Sequence, residues 1–333
     1  MPRRSQDNRE LLRTMKCNSS SLSSSDLFVS TRPKKNPSNP FLKSCPPKQT
    51  KLLLSIRYSN QTHSSLLQSL AISATIRGLE ENMRSVVRKV AVVGSGISGA
   101  VCASALARNG VAVTVFDSGR GPGGRMSQRR EISEDGTELF FDHGAPFFTV
   151  NDNDVMGLVH EWEARGLVAE WKERFGSFDC ISAKFDFEKV PVKGFSFKNS
   201  DVLSWAHCDS SKPGRPEMSE CWVLHSTFEY AKGVISQTGL QKPSNATLTK
   251  VAEELFQEFR SSGLHIPDPF FVKAHRWGSA FPAAVIAAEQ KCLWDEGKRL
   301  AICGDFCAGP NVEGAVLSGM RASVKLLEMF SCM

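Results

Sequence analysis

No stretch of this 333-residue sequence holds about 18 consecutive apolar residues, so no transmembrane segment is read from it. C-x-x-C pairs are also absent. The 10 cysteines are scattered, and Cys303 and Cys307, four apart, have no second pair or histidine cluster to complete a metal site. Free buried thiols in a reducing compartment, with no metal, are the expectation. There is no G-x-S-x-G elbow, Walker loop or metalloprotease helix, so nucleophilic hydrolysis and zinc hydrolysis have little support. Acidic residues are scarce at one end only. Residues 11–79 hold a single acid, Asp26, against ten Lys/Arg.

That asymmetry accounts for the formal charge of +6, because residues 1–88 carry 15 Lys/Arg against 5 Asp/Glu while the remainder carries 26 against 30. The body is mildly acidic, which argues against a nucleic-acid-binding surface. With Ser19-Ser20-Ser21, Ser23-Ser24-Ser25 and many Pro and Asn, residues 1–85 read as a disordered, transit-like segment. The chloroplast is the expected destination, with the mitochondrion as the alternative. At 41% hydrophobic and 23% charged, the rest is globular.

Folding signals begin at Lys89. The apolar run Val90 to Val93 is followed by Gly94-Ser95-Gly96-Ile97-Ser98-Gly99. A helical pattern through Val101, Ala105 and Leu106 comes next, ending at Asn109-Gly110. Val111 to Phe116 reads as a second buried strand, closed by Asp117, 18 residues after Gly99. In such a strand–turn–helix–strand unit, Gly94 permits the sharp exit, Gly96 lets backbone approach a pyrophosphate and Gly99 lets the helix pack close. The helix N-terminus faces the phosphates, and Asp117 is positioned for ribose hydroxyls.

Gly119-Arg120-Gly121-Pro122-Gly123-Gly124-Arg125 follows the acid directly, where a simple NAD domain usually continues into a helix. The span from Val90 through Arg125 resembles the flavin-containing amine oxidase superfamily, most closely its renalase-like branch. The stretch Phe141-Asp142-His143-Gly144-Ala145-Pro146-Phe147-Phe148-Thr149 is similar to that branch's loop beside the flavin. Leu300 to Cys303, then Gly304-Asp305 and the helix opening at Asn311-Val312-Glu313-Gly314-Ala315, is similar to the family's second FAD motif.

The resemblance implies an α/β protein with a Rossmann-type (GR2-like) FAD-binding domain and a mixed-sheet substrate domain. FAD is the implied cofactor. The implied contacts are Gly94, Gly96, Ile97, Ser98, Gly99, Asp117, Ser118, Gly124, Arg125, Gly144, Ala145, Pro146, Phe147, Gly304, Asp305, Glu313, Gly314 and Ala315. Residues 86–150 and 271–333 would form the FAD-binding domain, and 151–270 the substrate domain. The expectation can be tested directly: the turns at Gly94 and Gly304 should meet around one diphosphate.

In the middle, helices are expected over Asp154–Gly166 and Thr247–Ser261. Short strands are expected at Leu167–Trp171 and Cys221–His225, with a loop over Ser210–Glu217. His275-Arg276-Trp277-Gly278-Ser279-Ala280-Phe281-Pro282 reads equally as an aromatic wall of the site or as core. Against the family pattern, Ile181 to Lys189 joins directly what a long insertion usually separates. A deletion of on the order of 100 residues, a domain's worth of chain, is inferred. It would expose apolar surface and remove one wall of the cofactor site.

The implied activity is FAD-dependent oxidation, with hydride passing from a small-molecule substrate to flavin N5. Amines and reduced nicotinamides are the candidate substrates, NAD(P)H among them, and a plastid setting adds carotenoid or tetrapyrrole precursors. No catalytic acid or base is assigned; His143 and His275 are candidates by type alone. The alternatives are a catalytically silent shortened isoform and an NAD-dependent dehydrogenase.

Overall fold

The computed structural model describes residues 24–31, 88–119, 121–180, 184–185, 192–215, 219–264 and 266–332. A short parallel pair opens the body. Strand β2 (Lys89–Val93) runs beside β3 (Ala112–Phe116), in register from Lys89 opposite Ala112 to Val93 opposite Phe116. Between them lies helix α1 (Ile97–Arg108), which buries Val101, Cys102 and Leu106. It ends at Asn109-Gly110, where Gly110 adopts φ +75°, a conformation that costs glycine little.

The C-terminal helix, α6 (Val312–Ser331), follows the single turn α5 (Asp305–Ala308) and packs along α1, and their shared core takes in Leu106, Val111, Ala322 and Leu326. A hairpin of β12 (Leu293–Asp295) and β13 (Leu300–Ile302) adds Trp294 and Ala301 to this core. The opposite face of these short sheets lies open. Val93, Phe116, Leu300 and Ile302 are exposed, Val93 to 85%. Apolar surface is therefore exposed on this half of the molecule.

The second half is a seven-stranded mixed sheet in the order β11-β1-β10-β9-β8-β6-β7. Its strands are β1 (Ser24–Thr31), β6 (Phe175–Asp179), β7 (Lys184–Phe185), β8 (Gly194–Lys198), β9 (Leu203–Cys208), β10 (Glu220–Ser226) and β11 (Phe271–Trp277). Only β6 and β8 are parallel.

One face is covered by α4 (Asn245–Ser261), whose Val251, Leu255, Phe256 and Phe259 meet Phe195, Trp222 and Leu224. Ser244 caps α4 by accepting from the Thr247 N–H at 3.1 Å, and Thr227 caps α3 (Phe228–Thr238) through the Tyr230 N–H. The other face receives the ribbon β4 (Arg129–Ile132) and β5 (Glu138–Phe141). Its Leu139 and Phe141 pack on Cys221 and Val223, joining the two halves of the protein. Helix α2 (Asn153–Ala164), capped by Asp152, packs on α1 and α6 through Val155.

Four expectations change. The strand expected at Leu167–Trp171 is irregular chain. The Leu167 N–H closes the end of α2 by donating to the Trp162 carbonyl, and Trp171 turns into an aromatic group with Phe175 and Phe147. Strand β11 belongs to the mixed sheet, so the second part of the dinucleotide-binding half starts after Trp277 and not at residue 271. Helix α3 was not anticipated, because Glu229, Lys232 and Gly233 dilute its apolar pattern. Finally, residues 24–31 of the expected disordered leader form β1, inside the sheet. The rest of that leader and most of the Ile181–Lys189 join lie outside the described residues.

Candidate functional site

Two glycine turns more than 200 residues apart in sequence are linked through the segment from Gly123 to Arg125. Gly94 leaves β2 with φ +102°, donating its N–H to the Phe116 carbonyl at 2.7 Å. Gly96 bridges to Gly123, and a Cβ built on Gly124 would lie 3.2 Å from the Gly96 Cα, so the two glycine-rich segments run in backbone contact. On the other side, Ser98 Oγ donates to the Ala315 carbonyl at 2.7 Å, and Gly319 fits directly against the Ser98 carbonyl. A side chain at either Gly99 or Gly319 would collide with backbone, at the Gly94 and Ser98 carbonyls respectively. Gly99→Ala is therefore expected to lower stability by about 1–3 kcal/mol, read as a shift of the urea midpoint. An unchanged midpoint would show that α1 can move off β2.

Gly96 differs from these packed glycines. A Cβ there would meet no protein atom within 4 Å. The helix it opens has no side-chain cap and no acid in its first turn. Open space in front of unpaired N–H groups and the positive end of a helix is the environment a diphosphate requires. The residues present thus fit the phosphate bridge of a dinucleotide.

Asp117 sits across the turn. Its Oδ2 accepts from the Ser95 N–H and hydroxyl, both at 2.6 Å, and its Oδ1 from the Gly119 N–H at 2.6 Å. These donors, the Ser95 hydroxyl first, hold its carboxyl below the usual range. Sequence reasoning passed over Ser95, which ties the acid to the glycine turn; no pattern in the sequence pairs those two positions.

The second turn reaches the first through an ion pair. Both Arg125 guanidinium nitrogens donate to the carboxylate of Asp305, and Nη1 also donates to the Ala280 carbonyl at 3.1 Å. Asp305 is nearly buried, and the Gly304 N–H donates to Ser318 Oγ at 2.9 Å. The Arg125 guanidinium, an implied cofactor contact, is thus engaged with Asp305.

Glu313, Gly314 and Ala315 also differ from expectation. Glu313 Oε1 accepts from the N–H groups of Asn151 (2.5 Å) and Asp152 (2.7 Å). The Gly314 N–H donates to Asn311 Oδ1, and the Ala315 N–H to the Asn311 carbonyl. The start of α6 is therefore closed by its own cap, and these N–H groups face protein acceptors.

Beside the ion pair is a cavity of about 360 Å³ lined by Arg125, Trp277, Ser279, Phe281, Pro282, Asp305 and Phe306. The aromatic-wall reading of the 275–282 segment describes where it lies. Gly144 inserts between the Arg125 carbonyl and the Trp277 ring, leaving no room for a side chain. His143 stacks 4.8 Å from Trp277 and 5.9 Å from His275. Burial, with Arg129 nearby, pushes both histidines down to about 4, so they are neutral near pH 7. Phe147 points instead into the sheet side, 5.8 Å from Trp205 and 6.1 Å from Phe175.

The loop carrying Gly144 is anchored from below by a buried polar group that no sequence pattern singles out. Asp209, fully buried in a single turn after β9, accepts from the Asp142 N–H and from Lys212, and lies 3.3 Å from His207 Nε2. His207 Nδ1 accepts from the Trp205 indole N–H at 3.2 Å. Burial raises the Asp209 carboxyl pKa, but Lys212, His207 and Arg215 outweigh it and hold the group ionised.

The described cysteines are all free. Burial lifts Cys102 and Cys208 to about 11 and Cys303 to about 12, so none of these three is a thiolate near neutral pH. Among the described residues no cluster could hold a metal, and no helix is long and apolar enough to cross a membrane.

Comparison with known proteins agrees with the first glycine turn. Residues 92–162 match the family described as NAD(P)-binding Rossmann-like domain. The chain is also similar to a mitochondrial protoporphyrinogen oxidase of Nicotiana tabacum, 38% identical over 79 residues, which is 24% of this chain and 15% of that protein. The chain thus carries a Rossmann-like dinucleotide-binding domain of the oxidoreductase type within a mixed α/β fold.

Proposed function

We propose that this protein is an FAD-dependent oxidoreductase of the renalase and amine oxidase type, acting on a small molecule in the cavity beside Trp277. The observation that carries the reading is the open cradle at Gly96, to which the Arg125–Asp305 pair ties the Gly304 turn. A dinucleotide domain alone would need only the Gly94–Gly99 turn. Linkage of a second, C-terminal Gly-Asp turn to the first through Gly123 to Arg125 favours a longer cofactor than NAD, lying along both.

In this reading the backbone of Gly94 to Gly99 and the end of α1 hold the diphosphate. Asp117, oriented by Ser95, takes the ribose. Bound FAD supplies a two-electron acceptor. The protein's own residues do the rest: Trp277, Phe281 and Phe306 give the cavity an apolar lining, and Arg125 is kept in place by Asp305 and the Ala280 carbonyl. His143, beside Trp277, and His275 are neutral near pH 7 and so add no charge near the site.

The substrate is an electron-rich small molecule. Amines and reduced nicotinamides fit, and the relative's name adds a tetrapyrrole precursor. An organelle, chloroplast first, remains the proposed location, on the composition of residues 1–85. The exposed Val93, Phe116, Leu300 and Ile302 favour one second reading, a shortened form that holds its cofactor weakly or acts through a partner.

Thermal melting with each nucleotide tests the assignment, because a ligand that binds only the native state raises the midpoint. FAD at about 100 times its dissociation constant is expected to add about 2.7 kcal/mol, with NAD adding little. Gly96→Ala should leave the ligand-free midpoint in place, since the new methyl meets only open space, and should remove the FAD shift. Protection by NAD without protection by FAD overturns the flavin reading. Protection by neither favours the silent form.

A further inference from the structure

The mixed sheet contains a strand that does not come from its neighbourhood in the chain. β1 pairs antiparallel with β10 on one side, from Asp26 opposite His225 to Thr31 opposite Glu220. On the other side it pairs antiparallel with β11, from Ser24 opposite Trp277 to Ser30 opposite Phe271. Among the described residues β10 and β11 are not paired with each other, and β11 pairs with no strand except β1. Take β1 away and the sheet divides, leaving β11 alone and two rows of backbone groups without partners. β11 leads directly into Trp277, Ser279 and Phe281, and into the Ala280 carbonyl that holds Arg125.

The register is not arbitrary. Leu27 stands in a row with Leu224 and Ala274, and Val29 in a row with Trp222 and Val272. Asp26, the single acid between residues 11 and 79, stands in the row between His225 and His275. A slip by one residue would put Ser25 or Leu27 in the row between the histidines. The segment is 57 residues away from β2 in sequence, far enough to act as an independent piece of chain.

We propose that the gap between β10 and β11 is a strand-acceptor site whose ligand is the extended segment Ser24–Thr31, and that the segment stays bound after the chain is cut between it and β2. Main-chain pairing on both sides supplies the affinity, and the Leu-Phe-Val run with Asp26 supplies the register. It follows that removal of residues up to Thr31 in leader processing would disassemble the cavity wall unless the excised strand remained in place. This inference does not depend on which cofactor the protein takes.

The test uses the full chain with a specific protease site introduced within residues 32–87. After cleavage the N-terminal fragment is expected to co-elute with the body on a sizing column, with the melting midpoint close to that of the uncut chain. A fluorescent synthetic peptide of residues 22–33 should then exchange into the cut protein and not into the uncut one. The same peptide carrying Asp26→Lys should compete roughly tenfold or more weakly, because a cation would replace the acid in the row that His225 and His275 share.

Departure of the fragment from the body overturns the proposal, whether or not the body stays soluble. So does equal competition by the two peptides. In the uncut chain, Leu27→Pro removes a ladder donor from a strand paired on both sides and is expected to lower the midpoint. An unchanged midpoint overturns the proposal by a route that needs no cleavage.

Discussion

Asp209→Ala is expected to lower the unfolding free energy by about 3–5 kcal/mol, the usual cost of removing one partner from a buried ion pair. Four groups depend on this carboxylate. Lys212, only 10% exposed, would keep Asp142 alone as its anion, at 3.0 Å. The Asp142 N–H would lose its acceptor, and His207 Nε2 would lose its neighbour at 3.3 Å. Arg215, paired with Asp142, would lose a second negative charge nearby.

The consequence extends to the candidate site. Asp142 begins the loop through His143 to Gly144, and Gly144 fills the gap between Arg125 and Trp277. Urea denaturation measures the first effect, and the FAD-induced melting shift measures the second. Asp209→Asn, which retains shape and one acceptor oxygen, should recover part of the stability. A loss below about 1 kcal/mol, the range of an exposed pair, would show that Asp209 is not shut off from water as the geometry requires.

Acid should weaken the fold well above the pH at which carboxylates titrate. An unfolded histidine titrates near 6.5, whereas in the fold burial pushes His225 down to about 3 and both His143 and His275 down to about 4. Burial also depresses His207. His225 has His207, His143 and Asp209 around it, and His275 has Arg129, His143, Glu131 and Lys273. Asp26 shares the row of His225 and His275.

Depressed histidine values mean that the unfolded chain binds protons the folded one does not. Stability is therefore complete above about pH 6.5. The histidine contribution falls as pH drops through that value and levels off only near pH 3–4, where the folded histidines protonate too. Each histidine kept neutral adds about 1.4 kcal/mol per pH unit to the slope within that window. Urea midpoints at pH 7.5, 6 and 5 should fall steeply, and His225→Gln should make the fall shallower by about one proton. Equal midpoints at pH 7.5 and 5 would mean that the histidines protonate within the fold.

The parts of the molecule that were legible in sequence are those governed by local rules. The apolar run at Val90, the glycine spacing of 94–99 and the Asn109-Gly110 stop sit within one supersecondary unit, and each residue's reason is satisfied by neighbours a few positions away. Helices α2 and α4 were legible for the same reason: Val155 and Leu158, or Val251, Leu255 and Phe259, repeat at the helical period, and Asp152 and Ser244 cap from adjacent positions. Leu167–Trp171 misled because its apolar residues serve two unrelated neighbours, the end of α2 and the ring cluster around Phe175.

The candidate site divides along the same line. The sequence by itself determined that a glycine cradle opens a helix at Gly96 and that a second Gly-Asp turn stands near the C-terminus, since both are properties of short segments. Only the tertiary structure decided that Arg125 binds Asp305, that Ser95 holds Asp117, that Asn311 closes the α6 terminus and that Asp209 anchors the Gly144 loop. It also decided that eight residues of a serine-rich, basic leader stand in the middle of a sheet. Those outcomes depend on which unsatisfied donors, acceptors and strand edges come face to face once the chain has folded, and sequence spacing carries no record of that.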